Sequence, residues 1–172
     1  VYKRQESGTI WLDAGKTSPY AFYQFWLSTA DADVYKFLKY FTFLTVEAID
    51  ALAQEDAERE GRPDAQRVLA REVTRLVHGE GGLEAAERIT SAMFSGDESS
   101  LSESDLAQLS LDGLPSSVIA RQAIPETLTQ LLTDAGMAAS GKQVKDALGR
   151  SAVSINGVSV SAENNACLLY TS

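Results

Sequence analysis

The sequence predicts a mainly α fold, in which a helical bundle is followed by a small α+β unit. Apolar residues recur at spacings of three and four through most of residues 17–95, which is the period of amphipathic helices. Residues 96–124 are rich in Ser, Asp and Gly, so we expect a linker that carries one short helix. Near the end, Val and Ser alternate on both sides of Asn156-Gly157, a pattern typical of a β-hairpin with a two-residue turn.

The first helix is predicted to follow a short strand or extended segment at residues 9–12. Ser18 has a side chain suited to capping it, and Pro19 fits the first turn, where a missing N–H removes no hydrogen bond. Aromatic residues surround this helix, so we expect burial on nearly all of its sides. They are Tyr20, Phe22, Tyr23, Phe25 and Trp26.

Further helices complete the bundle. A second is predicted to begin at Asp31 or Asp33, and a third near residue 45 ends in the acidic stretch 55–60, which favours solvated surface. After a break at residues 61–63, two more helices are expected at residues 65–77 and 83–94. Gly79 is predicted to end the first of these two in the left-handed conformation.

The smaller unit follows Pro125. Leu128, Leu131 and Leu132 predict a helix that Gly136 ends, and Ser140 is predicted to cap the next helix, which continues to residue 148. The hairpin then completes the unit.

Charge and composition exclude some classes of protein. The 172 residues carry a formal net charge of −9, which argues against coating of nucleic acid by bulk attraction, so any RNA contact must use local basic faces. The apolar runs are too short to cross a bilayer, and we expect neither a membrane nor DNA as a partner. The single Cys167 agrees with a reducing, cytoplasmic compartment.

No catalytic residue is expected in this chain. His78 is its only histidine and stands at a predicted helix C-terminus, where a partly charged imidazole interacts well with the helix dipole. One His and one Cys cannot supply the usual metal ligand sets, and there is no Gly-rich phosphate loop. We therefore expect no metal site and no cofactor bound by this chain.

Two groups of residues are candidates for contact with RNA, and each has a structural alternative. Asp31 or Asp33 could simply cap a helix, or could accept hydrogen bonds from the Watson–Crick donors of a splayed-out guanine. The second group lies around one helix N-terminus, which offers free N–H groups and positive charge to phosphate, although a solvated helix face gives the same pattern. Its members are Ser140, Lys142, Gln143, Lys145 and Arg150.

Several ordered blocks of the chain carry a family resemblance. They are Glu6-Ser-Gly-Thr-Ile-Trp-Leu-Asp13, Phe22-Tyr-Gln-Phe-Trp26, Tyr35-Lys-Phe-Leu-Lys-Tyr-Phe-Thr-Phe-Leu44, Val73-Thr-Arg-Leu-Val-His-Gly-Glu80, Ala92-Met-Phe-Ser-Gly96 and residues 128–157. In order and spacing, these blocks resemble the part of bacterial tyrosyl-tRNA synthetases that follows the catalytic domain.

The resemblance implies a C-terminal fragment of a homodimeric class I aminoacyl-tRNA synthetase. Such an enzyme activates tyrosine with ATP and Mg²⁺ and transfers it to the tRNA for tyrosine. The implied segments are 1–16, a non-native end with the exit of the catalytic domain; 17–95, a helical anticodon-binding domain; 96–124, a linker; 125–166, an incomplete RNA-binding domain like that of a ribosomal protein; and 167–172, a non-native tail. The fragment alone is expected to bind tRNA and to be inactive.

The resemblance also assigns roles to single residues. Ser140, Lys142, Gln143 and Lys145 match a segment expected to hold the RNA backbone. Thr29, Asp31 and Asp33 lie near where the family is expected to meet the anticodon.

Two departures from the family pattern are visible. Residues 1–5 stand where the family carries a loop with two lysines, so no ATP-binding role is transferred to them. Ser151 replaces the usual turn glycine, which is expected to weaken the stop of the preceding helix. A free-standing RNA-binding module without enzymatic activity, or a helical scaffold without RNA contact, remains an alternative function.

Overall fold

The computed structural model describes residues 9–61, 63–120, 125–155 and 158–161. The predicted non-native ends at residues 1–5 and 167–172, and the predicted Asn156-Gly157 turn, lie outside these ranges. The chain divides into two compact units. The first comprises Val1–Ala92 and Leu101–Gly113, and the second comprises Met93–Ser100 and Leu114–Ser172.

Seven α-helices, one 3-10 turn and two strands form over the described residues, which confirms the mainly α prediction. The helices are α1 Pro19–Leu27, α2 Asp31–Phe41, α3 Val46–Glu58, α4 Ala65–Ser95, α5 Glu103–Leu111, α6 Leu128–Asp134 and α7 Gly141–Gly149. The strands are β1 Val153–Ile155 and β2 Val158–Val160, and the 3-10 turn is Glu98–Ser100. Residues 9–12 form no strand.

Helix α1 begins as predicted, but one of its aromatic residues is in solvent. The Ser18 hydroxyl accepts a hydrogen bond from the Ala21 amide at 3.0 Å, and Pro19 is the first helical residue. Phe22 and Tyr23 are buried, whereas Phe25 is 47% exposed. The expectation of burial is therefore wrong for Phe25, whereas every other residue of α1 is buried or partly buried.

The core of the first unit lies between α1, α2, α3 and the first half of α4. Burying a side chain such as Leu or Phe stabilises a fold by about 1.5–3 kcal/mol, so this cluster contributes strongly to the stability of the unit. Its buried members are Phe22, Val34, Leu38, Ile49, Ala65, Leu69 and Val73.

Helix α4 is bent at Gly79, whose φ of 71° lies in the left-handed region. The predicted stop is thus present, although the helix resumes directly after it. The bend brings Gly82 close to its neighbours, since a Cβ built there would lie 2.6 Å from the His78 Cβ and 3.6 Å from the Pro19 Cβ. Any larger residue at position 82 would have to displace α1 or the bend.

Helix α5, predicted within a linker, belongs to the first compact unit. Arg88 of α4 donates two hydrogen bonds to the fully buried Asp105 carboxylate, both at 2.8 Å. The Tyr20 amide donates to Gln108 Oε1 at 3.2 Å, and the Ser18 hydroxyl donates to Asp112. Polar side chains thus attach α5 to both α1 and α4.

One residue of the acidic stretch 55–60 is not solvated surface. Asp56 is 8% exposed, and its carboxylate accepts from the Asp64 amide at 2.7 Å and the Ala65 amide at 3.1 Å. These amides begin α4 and have no carbonyl partner within the helix. The expectation is therefore wrong for Asp56, which satisfies the start of the next helix.

The second unit packs α6 and α7 against the hairpin. Leu128, Val144, Leu148 and Val160 form its buried cluster. The strands are antiparallel, with Val153 opposite Val160 and Ile155 opposite Val158, which confirms the predicted pairing. Over the described residues, the sheet has these two strands.

Candidate nucleic-acid interface

The start of α7 is organised by two of the predicted RNA-binding residues. Ser140 is the N-cap, and its hydroxyl accepts from the Gln143 amide at 3.4 Å. In return, Gln143 Oε1 accepts from the Ala139 amide at 2.9 Å. This reciprocal pair uses the Gln143 carbonyl oxygen and one lone pair of Ser140, so both residues shape the N-terminus.

Lys142 and Lys145 are exposed and are neighbours on one helix surface, because residues three apart have Cβ atoms about 5–6 Å from each other. In the part of the chain that the structure describes, neither has a carboxylate within 4 Å. Val144 and Leu148 form the buried face of α7. Burial of that face directs both ammonium groups to solvent.

Arg150 lies at the other end of the helix. It is the C-cap residue of α7, and its Nε donates to the Asp146 carbonyl oxygen at 3.2 Å. Nine residues separate the two ends by about 13 Å at the α-helical rise. Arg150 therefore belongs to the same helix as the two lysines but is not part of the N-terminal cluster.

The anticodon candidates lie at the start of α2. The N-cap is Ala30, without a side-chain hydrogen bond, so the interpretation of Asp31 or Asp33 as an N-cap is wrong. Both carboxylates sit in the first turn, where negative charge interacts well with the helix dipole. Both residues are exposed, and Thr29 is partly exposed.

Gln66 connects two of these candidates. It is 2% exposed, its Nε2 donates to Asp31 Oδ1, and the same nitrogen lies 3.5 Å from the Thr29 carbonyl oxygen. Gln66 is a residue that sequence reasoning missed. The only indication in the sequence is helical spacing: Gln66 precedes Ala70 by four positions and Val73 by seven, which places it on their buried face.

Tyr35, on the same helix as Asp31, fixes α2 to α3. Its hydroxyl donates to Asp56 Oδ2 at 2.9 Å. Burial and the Asp56 carboxylate raise the pKa of Tyr35 to about 12, so the hydroxyl remains a donor at neutral pH. Burial alone would raise the pKa of Asp56, but hydrogen bonds from Asp64, Tyr35 and Ala65 outweigh it and leave that pKa lowered.

His78 lies directly before the bend of α4, with its ring against α1. Its ring packs edge-on against Phe22, with centroids 4.9 Å apart, and its Nε2 is buried without a hydrogen-bond partner in the structure. Burial lowers the pKa of His78, which favours the neutral imidazole. The position at a helix end is as predicted, and the burial of the ring argues against a charged imidazole there.

The described ranges contain neither a metal-binding cluster nor a membrane-spanning helix. Within them, no group of three or more His, Cys, Asp or Glu side chains is arranged to hold a metal ion. None of the helices described is long and apolar enough to cross a membrane.

Comparison with known proteins identifies the family. The sequence model of the family "tRNA synthetases class I (W and Y)" matches residues 3–95, which is more than half of the chain. The chain belongs to this family. The match contains α1 to α4, and with them Thr29, Asp31 and Asp33.

The synthetase chain is similar to tyrosine-specific relatives, which confirms the resemblance inferred from its sequence. It is 60% identical over 159 residues to the tyrosine–tRNA ligase of Aliivibrio fischeri and 51% identical over 163 residues to tyrosine–tRNA ligase 1 of Vibrio parahaemolyticus. These alignments cover 92% and 95% of this chain but only 37% and 38% of the relatives. The chain therefore spans little more than a third of their length.

A solved structure is also similar to this synthetase chain. It is a C-terminally truncated mitochondrial tyrosyl-tRNA synthetase of Coccidioides posadasii, with 42% identity and a TM-score of 0.44. The similarity covers 47% of this chain and 23% of that one.

Proposed function

We propose that this chain supplies tRNA binding to a tyrosine–tRNA ligase, the enzyme that activates tyrosine with ATP and transfers it to its tRNA. The observation that carries the proposal is the 60% identity to a tyrosine–tRNA ligase over nearly the whole chain. The tRNA for tyrosine is the partner, the parent enzyme acts as a homodimer in the cytoplasm, and the fragment alone is inactive.

The start of α7 is the proposed contact with the RNA backbone. Free amides at a helix N-terminus favour an anion, and Lys142 and Lys145, which pair with no carboxylate among the described residues, add positive charge beside them. Ser140 and Gln143 shape this N-terminus, whereas Arg150 contributes from the far end. A protein of net charge −9 needs such a local basic face to bind RNA.

The start of α2 is the proposed contact with the anticodon. Asp31 and Asp33 present exposed carboxylates that can accept hydrogen bonds from the Watson–Crick donors of an unstacked guanine. Thr29 lies two residues before Asp31. ATP and Mg²⁺ belong to the activation step of the parent enzyme in this proposal, and contact between this chain and RNA requires neither.

The role of α7 is tested by Lys142→Ala and Lys145→Ala in the full chain. Each lysine that contacts phosphate contributes about one unit to the slope of log affinity against log salt, or roughly tenfold in affinity at 0.1 M salt. We therefore expect each variant to lower affinity for tyrosine tRNA and for an unrelated tRNA by a similar factor. Titration at several salt concentrations measures both quantities.

Asp146→Asn is the matched control, since it removes a charge of opposite sign from the exposed part of the same helix. It should leave affinity unchanged or raise it. If both lysine variants keep the wild-type affinity and salt slope, α7 is not the RNA-backbone contact.

A further inference from the structure

The buried amide of Gln66 is an unusual feature of the first unit. Its side chain enters the space below the start of α2, where Nε2 donates to Asp31 Oδ1 and faces the Thr29 carbonyl. Its Oε1 is buried as well and has no hydrogen-bond partner in the structure. An apolar residue of the same size would avoid that desolvated oxygen, so packing alone does not favour glutamine here.

The bond to Gln66 restrains the carboxylate of Asp31. Asp31 is exposed, and in solution its side chain would otherwise sample several rotamers. With Oδ1 held by a buried partner on α4, the carboxylate has fewer accessible rotamers before any ligand arrives. Oδ2 has no protein partner among the described residues and remains available to accept. Presetting a polar group in this way reduces the entropy lost on binding.

We infer that Gln66 is a positioning residue for anticodon recognition: it orients the Asp31 carboxylate and the adjacent Thr29 backbone toward a guanine of the anticodon loop. This inference rests on the proposed contact between the start of α2 and the anticodon. Gln66 itself is too deeply buried to touch RNA, so it acts through Asp31. Its effect is therefore on discrimination between bases and not on attraction to phosphate.

The test compares two RNA hairpins bound to the full chain. One is the anticodon stem–loop of tyrosine tRNA, and in the other each guanine of the anticodon loop is replaced by inosine, which lacks the exocyclic amine donor. The wild-type chain is expected to prefer the guanine hairpin. Gln66→Met, which keeps the size of the side chain but not its amide, is expected to reduce that preference roughly fivefold.

Thr74→Val is the matched control. Thr74 lies on α4 two turns further along, is fully buried, and has a hydroxyl without a hydrogen-bond partner among the described residues, so its replacement also alters a buried polar group. We expect it to leave the preference between the hairpins unchanged. Should Gln66→Met prove unfolded by circular dichroism, Gln66→Asn makes the same comparison, because its amide is one methylene too short to reach Asp31.

A double-mutant cycle separates positioning from a general structural role. If Gln66 acts through Asp31, the double variant Gln66→Met/Asp31→Ala should lose no more discrimination than Asp31→Ala alone. Additive losses, or full discrimination in Gln66→Met, would overturn the inference while leaving anticodon contact intact. If the wild-type chain itself shows no preference for guanine, the proposed anticodon contact fails and the inference fails with it.

Discussion

Ser151 has a backbone conformation that side chains disfavour. Its φ is 51°, and among the described residues it is the only one other than glycine with a positive φ. The Ser151 amide donates to the Leu148 carbonyl at 3.1 Å, and the Ala152 amide donates to the Ala147 carbonyl at 2.9 Å. This is the Schellman arrangement, in which glycine usually occupies the position of Ser151.

The same unit contains the arrangement with glycine. Gly136, with φ of 72°, donates to the Thr133 carbonyl at 3.0 Å, and Met137 donates to the Leu132 carbonyl at 3.0 Å. Helices α6 and α7 therefore end in the same hydrogen-bond arrangement. The left-handed position is occupied by Gly136 after α6 and by Ser151 after α7. Both stops are present, so the expected weakening at Ser151 concerns the energy of the stop and not its geometry.

We predict that Ser151→Gly stabilises the second unit by about 0.5–1 kcal/mol. Relief of left-handed strain contributes about 1–2 kcal/mol, and the greater freedom of glycine in the unfolded chain removes about 0.4–1 kcal/mol of that. Hydrogen exchange of the Val144 and Leu148 amides measures the change. Gly136→Ser is the matched reverse variant and should destabilise by a similar amount, whereas a loss of protection in Ser151→Gly would contradict the strain argument.

At the scale of elements, α5 is attached to the first unit by a charge pair. Asp105 is fully buried, and besides Arg88 it accepts from the Ser102 hydroxyl at 2.7 Å and the Ser102 amide at 2.9 Å. The bond from Arg88 lowers the pKa of Asp105, and the Ser102 bonds lower it further. One carboxylate thus forms the capping box of α5 and joins that helix to α4.

We predict that Arg88→Ala destabilises the first unit by about 2–3 kcal/mol. Removing one partner of a fully buried pair costs about 3–5 kcal/mol, and the value here is lower because Arg88 is 42% exposed and Ser102 remains bonded to Asp105. The urea midpoint should fall at an unchanged m-value.

Arg75 offers the control on the same helix. It pairs with Glu72 and Glu80, which are partly or largely in solvent, and such surface pairs contribute at most about 1 kcal/mol. Arg75→Ala should therefore shift the midpoint much less than Arg88→Ala does. Equal shifts would mean that Ser102 alone satisfies the buried carboxylate.

At the scale of the whole molecule, the sequence predicted what depends on near neighbours. Ser18 and Ser140 as caps, Gly79 and Gly136 as stops, and the hairpin pairing all follow from signals within a few residues. These features are local because backbone conformation and capping bonds involve residues close in sequence. The basic start of α7 was predictable for the same reason.

Contacts between distant residues could not be predicted in this way. Ser18 and Asp112 are 94 residues apart, and Gln66 and Asp31 are 35 apart. A polar side chain carries no periodic signal that identifies its partner, so Asp56 looked like solvated surface and Asp105 looked like part of a linker. The proposed anticodon geometry depends on such a contact, since Gln66 orients Asp31 from another helix.

Buried ionisable groups make the free energy of unfolding depend on pH in two separate ranges. Burial lowers the pKa of His78 below its ordinary value of 6.5, so the unfolded chain binds a proton before the folded chain does. The pKa values of Asp56 and Asp105 are likewise lowered from 3.8, because their hydrogen-bond donors outweigh the opposing effect of burial. In each case the stability is complete above the pKa of the unfolded state and is lost as pH falls through the folded pKa.

We therefore predict that the free energy of unfolding of the first unit begins to fall below about pH 6.5 and falls again below pH 3.8. The upper window can be assigned to one side chain, because His78 is the only histidine in the sequence. In His78→Gln the upper decline should vanish while the lower one remains. Urea unfolding between pH 7 and pH 2, followed by tryptophan fluorescence, measures the upper window and the onset of the lower one. An unchanged upper decline in His78→Gln would show that His78 does not cause it. The imidazole would then accept a proton in the folded chain without lowering the free energy of unfolding, and its burial beside Phe22 would not hold it neutral.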